Sequence, residues 1–214
     1  MRIRVLALIC SFSVVLSTVL AGCGGGGEGS GMPPGASSED TSDATTRQAL
    51  QITNLDVGPA GGSALGTLKR WSLPVPVKTN NDARAVQAMN AIESRLGATI
   101  FDRTSIEGSD DASITRGVII SVGSGPQSSI CAAADTGDGA SAEINDRIVI
   151  HLDSAGCTAS VNATIHELGH ALGMYRHFQG FGDGSVIGGL FWRVLRTIYM
   201  NAIGTPGPNI MLAP

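Results

Sequence analysis

The stretch Ala163-Thr164-Ile165-His166-Glu167-Leu168-Gly169-His170-Ala171-Leu172-Gly173 predicts a helix with two imidazoles on one face. Residues four apart stand one turn above each other on a helix, so His166 and His170 can both face a single cation. Leu168, Ala171 and Leu172 give the segment an apolar back face for burial. Gly173 suits its end, because glycine readily takes the left-handed conformation of a sharp reversal. Two imidazoles at this spacing suit tetrahedral zinc. Glu167 lies about 100° round the helix from His166. Its carboxylate can therefore act as a base on a water held by the metal without being a ligand. The competing reading is a solvent-facing helix with an accidental pattern, and the apolar back face argues against it.

His177 follows the reversal closely and offers a third imidazole. Together His166, Glu167, His170, Gly173 and His177 resemble the metzincin clan of zinc peptidases, specifically its minimal matrixin-like members, whose pattern is HExxHxxGxxH. The chain departs from that pattern in one respect: Arg176 stands where the family has its third histidine, and His177 comes one residue later. A reversal loop absorbs an extra residue at modest cost, so His177 is the expected third ligand. Asp183, in Gly182-Asp183-Gly184, is one rival, since some relatives use an aspartate there, and a surface histidine with no task is the plain alternative for His177.

The resemblance further implies a methionine in a tight turn beneath the histidines. Met211 is the first candidate, in Pro208-Asn209-Ile210-Met211, and Met200 the second; ordinary core filling is the plain alternative for either. The tyrosine that many relatives carry two positions later is not evident, because Ala213 and Ala202 occupy those places. A shallow cleft is implied as well, with substrate adding as a strand beside a sheet edge. The implied activity is zinc-dependent endopeptidase, a hydrolase in which Glu167 is catalytic and His166, His170 and His177 hold the metal. The alternative is a non-catalytic, zinc-containing lipoprotein binding module.

Elsewhere the order of elements reads as a mixed α/β (α+β) domain, and the resemblance implies a metzincin-like catalytic domain with a small mixed, mostly parallel twisted sheet packed on two long helices, plus a C-terminal helix. Trp71 to Val77 alternates like a strand, and its two prolines favour an edge or strand-end placement. Asp82 is a plausible helix cap, followed by Val86, Met89, Ile92 and Leu96 at helical spacing and by Gly97. The runs 117–122 and 147–152 are β-branched and of buried-strand character. Val186, Ile187, Leu190, Phe191, Val194, Leu195, Ile198 and Tyr199 form a late packing helix, with Arg193 and Arg196 expected on its wet face. Asp135-Thr136-Gly137-Asp138-Gly139 lacks the full EF-hand spacing; calcium there is a lesser expectation than a plain acidic turn. His151 reads as a hydrogen-bonded core histidine.

Residues 1–22, with Arg2 and Arg4 before an apolar run, read as a signal peptide. Leu20-Ala21-Gly22-Cys23 resembles the lipobox of bacterial lipoproteins, which implies lipid on Cys23 and anchoring in the cell envelope. With Gly24 next, outer-membrane sorting is expected. Residues 23–46 are rich in Gly, Ser, Pro, Asp and Thr and read as a flexible tether, leaving 47–214 as the folded domain. Of the four cysteines, Cys131 and Cys157 remain to form a disulfide in an exported compartment. A net charge of −4 without a basic stripe argues against nucleic acid. The expected partners are a polypeptide substrate and the membrane, and the expected state is a monomer.

Overall fold

The computed structural model describes residues 39–58, 66–123, 130–137, 139–182 and 187–214. The signal peptide, Cys23, most of the tether, Asp138 and Asp183 lie outside them. In chain order the main elements are α1 (Asp43–Leu50), a π-helical segment (Gln51–Leu55), β1 (Val75–Lys78), α2 (Ala83–Leu96), β2 (Phe101–Asp102), β3 (Gly117–Val122), β4 (Ala132–Ala134), β5 (Arg147–Leu152), α3 (Val161–Ala171) and α4 (Gly189–Met200). No helix among the described residues is long and apolar enough to cross a membrane.

The two β-branched runs become neighbours. β3 and β5 pair in parallel over their full length, from Gly117 opposite Arg147 to Val122 opposite Leu152. The strand order is β2-β1-β3-β5-β4. β4 alone runs antiparallel, and it forms one edge. The fold is therefore mixed α/β with a mostly parallel sheet. Val75, Val77, Val118, Ile120, Ile148, Ile150 and Leu152 turn into the main core. Between them, Ile119 and Val149 are buried as well, which explains why these strands read as unbroken apolar runs rather than as alternation.

Several expectations give way to particular packing. β1 is not an edge strand, for it lies between β2 and β3. Pro76 is tolerated there because β1 pairs with β2 at residues 75 and 76 and with β3 only from Val77 onward. Gly117 lets β3 come that close, since a Cβ on it would stand 2.8 Å from the Pro76 carbonyl oxygen. On α2, Asp82 caps the start by accepting from the Arg84 and Ala85 N–H groups, and Gly97 ends it at φ 69°. Its buried face, however, is Ala85, Ala88, Met89 and Ile92, while Val86 is exposed. The two alanines are wholly buried, and the larger Val86 is turned outward.

The folded body begins before residue 47. Residues 43–46, expected as the end of the tether, are the first turn of α1, capped by Ser42 and burying Thr46. Arg193 explains the difference. It is not on a wet face: its guanidinium pairs with Asp43, and it also donates to the Thr41 and Ala213 carbonyls and to the Thr46 hydroxyl. An α4 arginine thus ties both ends of the domain together. α4 itself starts at Gly189, and Ile187 makes a bridge to Phe181 instead of extending the helix.

Candidate metal centre and its cleft

Helix α3 positions the first two imidazoles. Ser160 caps it by accepting from the Ala163 N–H, and the face toward the core buries Ile165, Leu168 and Ala171. Gly169 is demanded by contact, because a Cβ there would stand 2.7 Å from Phe191 and 2.9 Å from the Met174 methyl. Gly173 is demanded by the backbone. It takes φ 105°, and a Cβ would lie 2.9 Å from the Lys69 carbonyl oxygen.

The chain then brings His177 back to α3. The three Nε2 atoms of His166, His170 and His177 form a nearly equilateral triangle with sides of 3.0, 3.1 and 3.1 Å. These three histidines are close enough to hold a metal ion. Hydrogen bonding among themselves cannot account for the triangle. Each Nε2 of a neutral imidazole is either a donor or an acceptor, so at least one of three mutual contacts must join like with like. A cation about 2 Å from each nitrogen resolves that conflict.

The surroundings favour neutral imidazoles with lone pairs facing inward. His170 Nδ1 lies 2.6 Å from the Met174 carbonyl oxygen, to which it donates, leaving Nε2 as the acceptor. Burial, then the charges of His170 and His177, push the His166 pKa down to about 3. Burial likewise lowers His170 to about 4, against the opposing Met174 hydrogen bond. His166 Nδ1 is buried with no hydrogen-bond partner, so nothing competes to reorient that ring.

Glu167 sits beside the triangle, only 8% exposed. Burial raises its pKa to about 7, and a hydrogen bond from the Ala134 backbone partly opposes the shift. Its carboxylate enters no ion pair among the described residues.

The segment between Gly173 and His177 is held from far away in sequence. Asn54, wholly buried, donates to the Gly173 and Lys69 carbonyl oxygens, both at 2.8 Å, and accepts from the Lys69 N–H. Thr53 donates to the Arg176 carbonyl oxygen at 2.6 Å and accepts from the Tyr175 and Arg176 N–H groups. Both belong to the π-helical segment, a distortion that often accompanies functional sites. After His177, Phe178 and Phe181 pair around Gln179 and Gly180, which takes φ 82°. This tight turn folds the Phe181 ring under the site, 4.4 Å from His166, 4.7 Å from His170 and 5.5 Å from His177 between centroids.

Phe181 thus occupies the floor expected of a methionine. Met211 is 62% exposed and Met200 44%, so neither side chain lies buried beneath the imidazoles. The rival ligand Asp183 falls outside the described residues, as does Asp138 of the acidic loop. In that loop Asp135 lies 3.0 Å from His151 Nε2, so His151 is hydrogen-bonded. Cys131 and Cys157 are joined as a disulfide with a Cα–Cα distance of 5.1 Å.

The imidazole triangle opens on a cleft of about 1080 Å³, bordered by Ala132, Ala133 and Ala134 of β4 and by Thr158, Ser160 and Ala163 near the start of α3. Asp153 and Asp135 donate from their N–H groups to the Cys131 and Val149 carbonyls. The antiparallel alternation therefore turns the backbone groups of Ala132 and Ala134 away from β5, toward the cleft. The Ala134 N–H reaches Glu167. The edge strand and the buried carboxylate thereby meet at one wall.

The fold and site define a mixed α/β domain with a three-histidine centre able to hold a metal ion. No family model, curated protein or solved structure matches the chain.

Proposed function

We propose that the protein is a zinc-dependent endopeptidase of metzincin-like character, lipid-anchored in a bacterial envelope through Cys23. The observation that carries the reading is a buried Glu167 beside three Nε2 atoms within 3.1 Å of one another. An all-nitrogen set of three histidines with an open side toward a cleft suits catalytic zinc, which keeps a position for water or substrate. Zinc there supplies a Lewis acid that acidifies water and polarises a carbonyl.

The chain's own residues supply the rest. A substrate strand aligns against the outward backbone groups of Ala132, placing a peptide carbonyl over the triangle. Glu167 takes a proton from the attacking water as the water oxygen bonds to the carbonyl carbon. The same carboxyl group passes that proton to the amine nitrogen as the C–N bond breaks, which returns it to the carboxylate form. Burial raises the carboxyl pKa and a cation beside it would lower it again, a balance that suits a group that must both accept and release a proton. Phe181 and the His170–Met174 hydrogen bond hold the imidazoles in position throughout.

A non-catalytic zinc module is the second reading, favoured by the exposure of Met211, which departs from the resemblance. Digestion of casein by the zinc-loaded protein, with Glu167→Ala as control, separates the two. The peptidase reading expects cleavage by the wild type, and a zinc-retaining variant without activity. Equal, negligible digestion by both proteins would leave the non-catalytic module.

A further inference from the structure

Arg176 is the residue that displaces the third histidine from its usual spacing, and the structure places it on the cleft with His166, His170 and His177. Its main chain is fixed on both sides by Thr53, whose hydroxyl accepts from the Arg176 N–H at 3.3 Å and donates to its carbonyl at 2.6 Å. The root of the side chain therefore has a defined position, while the residue itself is exposed. Its guanidinium makes no hydrogen bond or ion pair among the described residues.

The rest of the described cleft wall carries little charge. Besides the histidines and Tyr175, its side chains are small or apolar, with Ile130, Ala132, Ala133 and Ala163 prominent and Glu167 the one carboxylate. Glu167 is buried and committed to the proton transfer proposed above. Arg176 is consequently the sole lysine or arginine among the described residues bordering the cleft. It carries five donors in a planar fork that matches a carboxylate.

We propose that Arg176 is a specificity-determining residue that selects substrates with an acidic side chain close to the scissile bond. The inference rests on the peptidase reading. Arg176 is covalently next to a metal-ligating residue, and an extended peptide advances about 3.3 Å per residue. The guanidinium therefore meets substrate positions within two or three residues of the cut. The paired acid leaves the bonds made and broken unchanged. It sets which peptides are held in register with the triangle.

Mass spectrometry of a peptide library cleaved by the zinc-loaded protein tests this directly. The expected result is enrichment of Asp and Glu at one position near the cut, reversed toward Lys and Arg in Arg176→Glu. For matched acidic and neutral peptides, the kcat/KM ratio should fall about tenfold in Arg176→Ala, as expected for one lost charge-assisted contact. Raised salt should narrow the wild-type ratio. Cleavage with the same profile in wild type and Arg176→Glu would overturn the specificity role and leave the peptidase reading intact.

Absence of cleavage would overturn the peptidase reading instead. Fluorescence anisotropy with zinc-loaded Glu167→Gln and matched acidic, neutral and basic peptides then decides the charge recognition by itself. Tighter binding of the acidic peptide, lost in the double variant with Arg176→Glu, supports it. Binding blind to peptide charge overturns it.

Discussion

Helix α3 and the returning segment 173–181 both deliver imidazoles to one point, yet they are held by opposite means. α3 is specified locally, with a serine cap, an apolar face and a terminating glycine all inside one short stretch. The returning segment has no regular structure until the turn at Phe178, and its course is set by Thr53 and Asn54, more than a hundred residues earlier. A candidate metal site assembled this way has one rigid half and one borrowed half. The borrowed half is where the sequence spacing departs from HExxHxxGxxH. A loop fixed by distant hydrogen bonds can absorb an extra residue that a helix cannot.

Removing a ligand from either half should have the largest effect. His166→Ala, His170→Ala and His177→Ala should each cost more zinc affinity than the ~10–100-fold typical of outer-shell substitutions, read by competition with a chromophoric chelator. Unchanged affinity in His177→Ala would move the third ligand elsewhere, with Asp183 next in line. Catalysis should disappear in all three.

The supports come next, and here the two halves should separate. Asn54→Ala strands the Gly173 and Lys69 carbonyls and the Lys69 N–H, each at a cost of about 1–3 kcal/mol. It should also weaken zinc binding by roughly 10–100-fold. Phe181→Ala, which removes a wholly buried ring, should cost about 3–5 kcal/mol by denaturant unfolding and loosen all three imidazoles together. Ser160→Ala should cost only ~1 kcal/mol as a lost cap and leave zinc affinity nearly unchanged, because α3 is held by its packed face. Equal losses of affinity in Asn54→Ala and Ser160→Ala would erase the distinction.

The same division explains what could be read from the chain. The α3 pattern, the Asp82 and Gly97 boundaries of α2 and the buried strands are local signals of period, cap and turn, and they led to the mixed α/β sheet. What stayed hidden depended on distant partners. Val86 lost the core face of α2 to Ala85 and Ala88, which are buried with Met89 and Ile92. Arg193 looked solvated until α1 arrived to cover it. Thr53 and Asn54 carry no pattern of their own, and their role exists only once the segment after Gly173 lies against them. Phe181 was within reach: two phenylalanines flanking Gln-Gly have the spacing of a two-residue hairpin.

Protonation of Glu167 gives a subtler contrast, because it is a burden that the rigid half carries. Its folded pKa of about 7 lies above the ordinary 4.5, so the metal-free folded state binds the extra proton between those values. The Glu167 contribution to the stability of the metal-free protein should therefore fall as pH rises through that window, against the opposite contribution of His166 and His170, whose pKa values of about 3 and about 4 lie below the ordinary 6.5. Glu167→Gln should remove that falling contribution, so that stability rises more steeply with pH than in the wild type, and should be more stable above pH 7 by at most about 3 kcal/mol. In the zinc form the added positive charge favours the carboxylate. The acid limb of kcat/KM should then appear at or below about pH 7, with activity lost as the base is protonated. An identical unfolding slope in wild type and Glu167→Gln would show that burial does not raise this carboxyl group.

The smallest effect belongs to Met211, and it tests which side chain forms the floor. Its backbone is held by Asn201, which accepts from the Met211 N–H at 3.0 Å and donates to its carbonyl oxygen at 2.8 Å. Substitution leaves both bonds in place. With the side chain 62% exposed, Met211→Ala should change stability by no more than about 0.5 kcal/mol, as at ordinary surface positions, and zinc affinity not at all. Met174→Ala is the informative companion, since that side chain is wholly buried against Gly169 and its loss should cost about 2–5 kcal/mol. A Met211→Ala variant that released zinc while Phe181→Ala retained it would return the floor to the methionine and make the aromatic ring an ordinary neighbour.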